Sequence, residues 1–237
     1  FLTAYFASQE SKSVLLTGSS RMKERPIKIL VVALKQLGAE IEYLENDGFP
    51  PIKITGQKLN SSRVSLPANV SSQYISALAL IGPYLKKGLT LTLTGNITSK
   101  PYIDMTLSLL SSIGAKSIFK GQDIRILPLK KSNKVKIAVE GDWSSASYFY
   151  SLVALSKKRC VHLSSFKTNS LQADATLASL YETLGVTTTA IDSQTIALSK
   201  NDAPLPAGFK ADLTPSPDLA QTIAVTCFGL GIACHLT

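Results

Sequence analysis

The 237-residue sequence is poor in cysteine, histidine and tryptophan, and short of acid relative to base. Its three cysteines, Cys160, Cys227 and Cys234, form no CxxC pair and no even set. That argues against a disulfide framework and for free thiols in a reducing compartment, so a cytoplasmic location is expected. With only His162 and His235 to join them, no metal site is assigned. Fourteen glycines and eleven prolines are too few for a collagen-like or low-complexity chain, and 45% hydrophobic residues exclude a disordered one. No basic start followed by an apolar core is present to read as a signal peptide. The uncharged run 219–237 holds Gln221, Thr222, Thr226 and two glycines, and Pro217 and Asp218 precede it. It reads as a buried helix followed by a strand, and no membrane span is expected. The sequence opens at Phe1 with the apolar run FLTAYFA, which reads as the interior of a longer protein.

Positive charge is in excess and unevenly spread. The net charge is +9; residues 1–138 carry 19 Lys/Arg against 8 Asp/Glu, and residues 139–237 carry 6 against 8. The break predicts two domains, 1–138 and 139–237, the first of them attractive to anions. Nucleic acid is one such anion. The densest basic run, Lys130, Lys131, Lys134 and Lys136, has no aromatic residues among its lysines to stack on bases, and reads as a solvated loop between strands.

An internal repeat carries most of the structural information. Residues 14–55 run VLLTG, a polar segment, PIKILVVALKQLGAEIEYL and PIKI; residues 91–127 run LTLTG, a polar segment, YIDMTLSLLSSIGAKSIF and IRIL. Ile27, Leu30, Val31, Leu34 and Leu37 fall at helical spacing before Gly38. At an offset of 76, Ile103, Thr106, Leu107, Leu110 and Ile113 do the same before Gly114. A weaker third copy has VHLSS at 161–165, then Leu177, Tyr181 and Leu184 before Gly185. The glycines read as helix C-caps. Linking helices open on serine pairs in SSQYISALALIGPYL (71–85) and SSASYFYSLVAL (144–155), and PDLAQTIAVTCFGLG (217–231) takes the equivalent place. The fold class is therefore α/β, built of repeated strand-helix-strand units. GxGxxG, GxxxxGK[ST] and GxSxG are all absent, which removes the dinucleotide, P-loop and α/β-hydrolase readings.

Polar residues cluster at predicted strand ends. Ser71 and Ser72 stand where a helix begins, a place suited either to an N-cap or to phosphate, and Gln73 adds an amide. Arg21, Lys23 and Arg25 follow a strand and precede a helix, with Pro26 near its first turn; Ser99, Lys100 and Tyr102 take the same place in the second copy. Asp218 heads an uncharged helix, as a dipole-complementing cap or as a carboxylate base.

Taken in order, SRMKERPI, NVSSQYISALAL, SKPYIDMTL, VEGDWSSASYF and TPSPDLAQTIAV resemble the 5-enolpyruvylshikimate-3-phosphate synthase family over the whole chain. The resemblance implies the two-domain inside-out α/β barrel of enolpyruvyl transferases, with 1–138 most of one domain and 139–237 part of the other. It implies transfer of the enolpyruvyl group of phosphoenolpyruvate to shikimate 3-phosphate, in aromatic amino-acid biosynthesis, without a metal or organic cofactor, by a monomer that glyphosate inhibits. By motif, Ser71, Ser72, Ser99 and Tyr102 would hold shikimate 3-phosphate. Arg25 and Gln73 would hold phosphoenolpyruvate or glyphosate, and Asp218 would act at the reacting 5-hydroxyl as the proton acceptor. The family's N-terminal lysine segment and its later arginine and lysine ligands have no counterpart in 1–237, so the chain reads as a central piece, inactive alone. Two alternatives differ. The related UDP-aminosugar enolpyruvyl transferase needs a reactive loop cysteine, which none of the three resembles. A non-catalytic anion- or nucleic-acid-binding module is opposed by 7% aromatic content and no RNA-binding signature.

Overall fold

The helical stripes and strand alternations fold locally as their periods demand. The computed structural model describes residues 1–69, 71–97, 99–157 and 160–237, and the chain clusters into two compact units, Phe1–Val135 and Lys136–Thr237. Each has its own apolar core.

The first unit opens with α1 (Leu2–Ala7), β1 (Ser13–Leu16), the one-turn α2 (Ser20–Lys23), α3 (Lys28–Gln36) and the strands β2 (Glu40–Tyr43) and β3 (Ile52–Thr55). β3 pairs antiparallel with both others, giving the order β1-β3-β2. The stripe of α3 buries Leu30, Val31 and Leu34, with Leu37 just beyond. Gly38 then turns the chain at φ 102°, a left-handed conformation that a side chain disfavours. The post-strand basic segment is itself partly helical, with α2 covering Arg21 and Lys23, and Pro26 lies two residues before the start of α3.

Next come β4 (Arg63–Pro67), α4 (Ser72–Ile81), β5 (Leu89–Thr94), α5 (Lys100–Ser112), β6 (Ser117–Lys120) and β7 (Asp123–Ile126), in a sheet ordered β4-β5-β7-β6. Within it β5-β7-β6 reproduces β1-β3-β2, with the same antiparallel pairing and a left-handed Gly114 after α5. β4 and β5 are parallel, so α4 is the crossover between them.

Residues 127–142, which span the boundary at Val135, are neither helix nor strand, and the four lysines of the basic run are exposed there, three in the first unit and Lys136 in the second. That run joins a strand to a helix, not two strands. The helix is α6 (Trp143–Leu155), and an acid caps it rather than the serine pair: Asp142 Oδ1 accepts from the Ser144 N–H at 3.1 Å. Then follow β8 (Cys160–Ser164), α7 (Leu177–Glu182), β9 (Val186–Ala190) and β10 (Thr195–Lys200), ordered β8-β10-β9, the third copy of the antiparallel motif. Leu177, Tyr181 and Leu184 are fully buried, and Gly185 is left-handed. The run 219–237 is a helix and a strand, α8 (Ala220–Leu230) and β12 (Ala233–Leu236). β12 pairs in parallel with β11 (Gly208–Ala211), so β11-α8-β12 repeats the β4-α4-β5 crossover. Among the described residues no helix is long and apolar enough to cross a membrane.

α6 and α8 pack through hydroxyls. Ser147 Oγ donates to Thr222 Oγ1 at 2.9 Å, and Thr226 Oγ1 lies 2.9 Å from Ser151 Oγ. Both helices advance four residues between the two contacts, so they run parallel. Thr226 also bonds the Tyr181 hydroxyl at 2.7 Å, and Tyr181 packs edge-on against Tyr150.

Candidate functional site

Parallel pairing of β4 with β5 brings two distant segments to one edge of a sheet. Pro67 is in register with Thr94, so both strands end together and the chain leaves each one toward a helix start. Residues 71–73 open α4 and residues 99–102 open α5, so Ser71, Ser72, Ser99 and Tyr102 share that edge. A buried hydroxyl pair holds the helices together, with Thr106 Oγ1 2.9 Å from Ser76 Oγ and 3.0 Å from the Tyr102 carbonyl. Ser71 is the N-cap of α4, its Oγ accepting from the Gln73 N–H at 3.3 Å. Ser99 stands before α5 with φ 51°, a conformation costly for a residue with a Cβ, and its carbonyl accepts from the Tyr102 N–H at 3.1 Å. All four side chains are half-buried, open enough to meet a ligand.

Arg25 and Gln73, 48 residues apart, line one cavity of about 420 Å³. Its walls also include Thr17, Met22, Pro26 and Tyr74. The Tyr74 hydroxyl donates to the Pro26 carbonyl at 2.6 Å, and burial raises its phenol above the ordinary tyrosine range, which keeps it a donor. Lys23 pairs with Glu45 at 2.8 Å, Lys28 with Asp47 at 2.5 Å and Lys100 with Asp104 at 2.6 Å, whereas Arg21 is exposed and makes no ion pair with a described residue. Arg25 is exposed and makes no ion pair with a described residue, so its planar fork is available to a carboxylate or phosphate.

Asp218 belongs to the second unit. It lies in the 3-10 turn Pro217–Leu219, after the end of β11, the place in β11-α8-β12 that Ser71 and Ser72 take in β4-α4-β5. It makes no cap hydrogen bond, since α8 starts at Ala220 with Leu219 at its cap position, but it stands in the first turn of the helical segment, where its charge complements the dipole. The Asp218 carboxylate is exposed and makes no hydrogen bond or ion pair with a described residue. Such a carboxylate is free to take a proton from a ligand. Among the described residues no cluster of three or more His, Cys, Asp or Glu could hold a metal ion.

Sequence reasoning missed Tyr74, because its partner Pro26 is 48 positions away and no local pattern announces it. It missed the Ser76–Thr106 pair for the same reason. It also missed Ser144, whose hydroxyl donates to the buried carboxylate of Asp174.

The family described as EPSP synthase (3-phosphoshikimate 1-carboxyvinyltransferase) matches residues 1–230. A 3-phosphoshikimate 1-carboxyvinyltransferase of Bacteroides fragilis (strain YCH46) is 43% identical over 237 residues, all of this chain and 57% of its own length. One from Mannheimia haemolytica is 37% identical over 223 residues, 92% of this chain and 50% of its own. The chain therefore spans little more than half the length of these relatives. Among solved structures, the 2.37 Å EPSP synthase of Acinetobacter baumannii superposes with a TM-score of 0.72 at 20% identity, covering 95% of this chain and 51% of that one. At that identity the likeness speaks for the inside-out α/β fold alone.

Proposed function

Because the chain belongs to the EPSP synthase (3-phosphoshikimate 1-carboxyvinyltransferase) family, we propose that a protein of its relatives' full length transfers the enolpyruvyl group of phosphoenolpyruvate to the 5-hydroxyl of shikimate 3-phosphate. The observation that carries this reading is the shared edge: Ser71, Ser72, Ser99 and Tyr102 follow two adjacent parallel strands, and Gln73 lines a cavity with an unpaired Arg25.

The serine hydroxyls and the first-turn N–H groups of α4 hold the 3-phosphate, and Tyr102 lies against the ring. Arg25 and Gln73 hold phosphoenolpyruvate, and glyphosate in its place. Asp218 takes the proton as the 5-hydroxyl oxygen bonds to C2 of the enol, whose C3 gains a proton. The tetrahedral adduct then loses phosphate from C2 and a proton from C3, restoring the double bond. Donors aimed at two anions supply binding and orientation, and no metal or organic cofactor is assigned a step. In this reading 1–138 is most of the first globular domain and 139–237 part of the second, in a cytoplasmic monomer that neither binds nucleic acid nor enters a membrane.

Calorimetric titration of the protein with shikimate 3-phosphate, beside an oligonucleotide and a UDP-aminosugar, tests the assignment. Saturable binding of shikimate 3-phosphate alone is expected. Preference for either competitor overturns it.

A further inference from the structure

The other end of the same sheet carries a second cationic feature. Residues 48–103 contain no Asp or Glu but six Lys or Arg. Four of these, Lys58, Arg63, Lys86 and Lys87, gather where β4 and β5 begin. Lys58, Lys86 and Lys87 line a cavity of about 230 Å³ with Asn60 and Ser61, floored by the buried Leu59 and Leu85. Arg63 is exposed at the first residue of β4, its N–H on Ser61 Oγ. None of the four cations makes an ion pair with a described residue. Ser71 and Ser99 follow the opposite ends of these strands, separated from this cavity by the length of β4, roughly 13 Å at ~3.3 Å per residue.

Both walls are fixed by backbone bonds. The Asn60 and Ser61 N–H groups both donate to the Leu37 carbonyl, at 3.1 and 3.3 Å, and the Gln57 side chain donates to the Gly38 carbonyl. Lys86 and Lys87 are the central residues of a turn closed by Gly88 N–H to Leu85 C=O at 2.9 Å. Gly88 has φ 70°, and a Cβ there would come within 2.2 Å of the Ile126 carbonyl, so the turn admits little variation. Lys58, Lys86 and Lys87 are exposed on these two loops and make no ion pair with a described residue, so an anion spanning the loops would meet three charges not neutralised by a neighbour. No aromatic ring lines the cavity for base stacking. Three ammonium groups on two loops match more than one phosphoryl group, since lysine binds phosphate as a point charge.

We propose that the Lys58–Lys86–Lys87 cavity is a second anion site, built for a small polyphosphate anion of the pyrophosphate class. The test titrates the 237-residue chain with pyrophosphate by calorimetry, and follows amide shifts by NMR. Lys58→Gln/Lys86→Gln/Lys87→Gln is expected to weaken binding at least tenfold, whereas Lys120→Gln, at an exposed lysine outside the cavity, changes it less than twofold. Shifts are expected at Asn60, Ser61 and Gly88, a readout on the parent chain that holds even if the triple variant folds poorly. Unchanged affinity in a folded triple variant, or shifts confined to residues 71–73 and 99–102, overturns the proposal.

Discussion

The Tyr74 hydroxyl donates a 2.6 Å hydrogen bond to the Pro26 carbonyl, fastening the first turn of α4 to the segment that carries Arg25. Gln73 and Arg25 thereby border one cavity although 48 residues separate them. Tyr74→Phe keeps the ring and removes the bond, costing about 0.5–1.5 kcal/mol of stability. In an active full-length enzyme, KM for phosphoenolpyruvate should rise several-fold with kcat less affected, because the residue positions Arg25 without touching reacting atoms. An unchanged KM would return Tyr74 to a packing role.

Ser71 has two duties in this account, a cap and a phosphate donor. Ser71→Ala should cost about 0.5–2 kcal/mol of stability as a lost cap. It should also lose roughly 1.5–3 kcal/mol of binding to shikimate 3-phosphate, the worth of a hydrogen bond to a charged group. Ser71→Asp separates the two. Aspartate caps as well as serine, so the melting temperature should hold, yet its charge opposes a phosphate and binding should fall further than in Ser71→Ala. Normal binding by Ser71→Asp would remove the phosphate from this position.

Much of the architecture is legible in the sequence because it is periodic. Leu30, Val31 and Leu34 bury the face their spacing predicts, and Gly38, Gly114 and Gly185 all end helices in the left-handed conformation. The uncharged run after Asp218 is a helix and a strand, since its polar residues find partners: Thr222 and Thr226 meet Ser147 and Ser151. What periodicity does not encode is long-range pairing. The order β1-β3-β2 and the Tyr74–Pro26 bond each depend on a partner that no window of the sequence contains. Ser71, Ser72 and Ser99 were legible as helix starts. That they share an edge follows from the parallel register of β4 and β5.

Stability of the second unit should fall in strong alkali. Burial pushes the Tyr150 and Tyr181 phenols up to about 12, with the hydrogen bonds they share with Thr188 and Thr226 acting the other way. An unfolded tyrosine titrates near ~10. As pH rises from there the unfolded chain loses its protons first, so this contribution is complete below about pH 10 and is lost as pH climbs through about 12. Urea unfolding across that window should show the decline, and Tyr181→Phe should make it shallower. A flat profile, or the same slope in the variant, would contradict the assignment.

The proposed proton transfer is tested most directly at Asp218, an exposed carboxylate that makes no cap hydrogen bond to α8 and pairs with no described residue. Asp218→Asn removes the base and no folded-state bond, so the melting temperature should stay within the range of a neutral surface change, about 0.5 kcal/mol. Loss of a positioned general base costs roughly 10²–10⁴-fold in rate. The decisive measurement is phosphate release from phosphoenolpyruvate and shikimate 3-phosphate by the full-length protein and its Asp218→Asn variant, with shikimate 3-phosphate binding measured in parallel. The account predicts rapid release by the parent, a loss of at least about a hundredfold in the variant, and binding retained. Release by the variant at the parent's rate, or none by the parent, would contradict it.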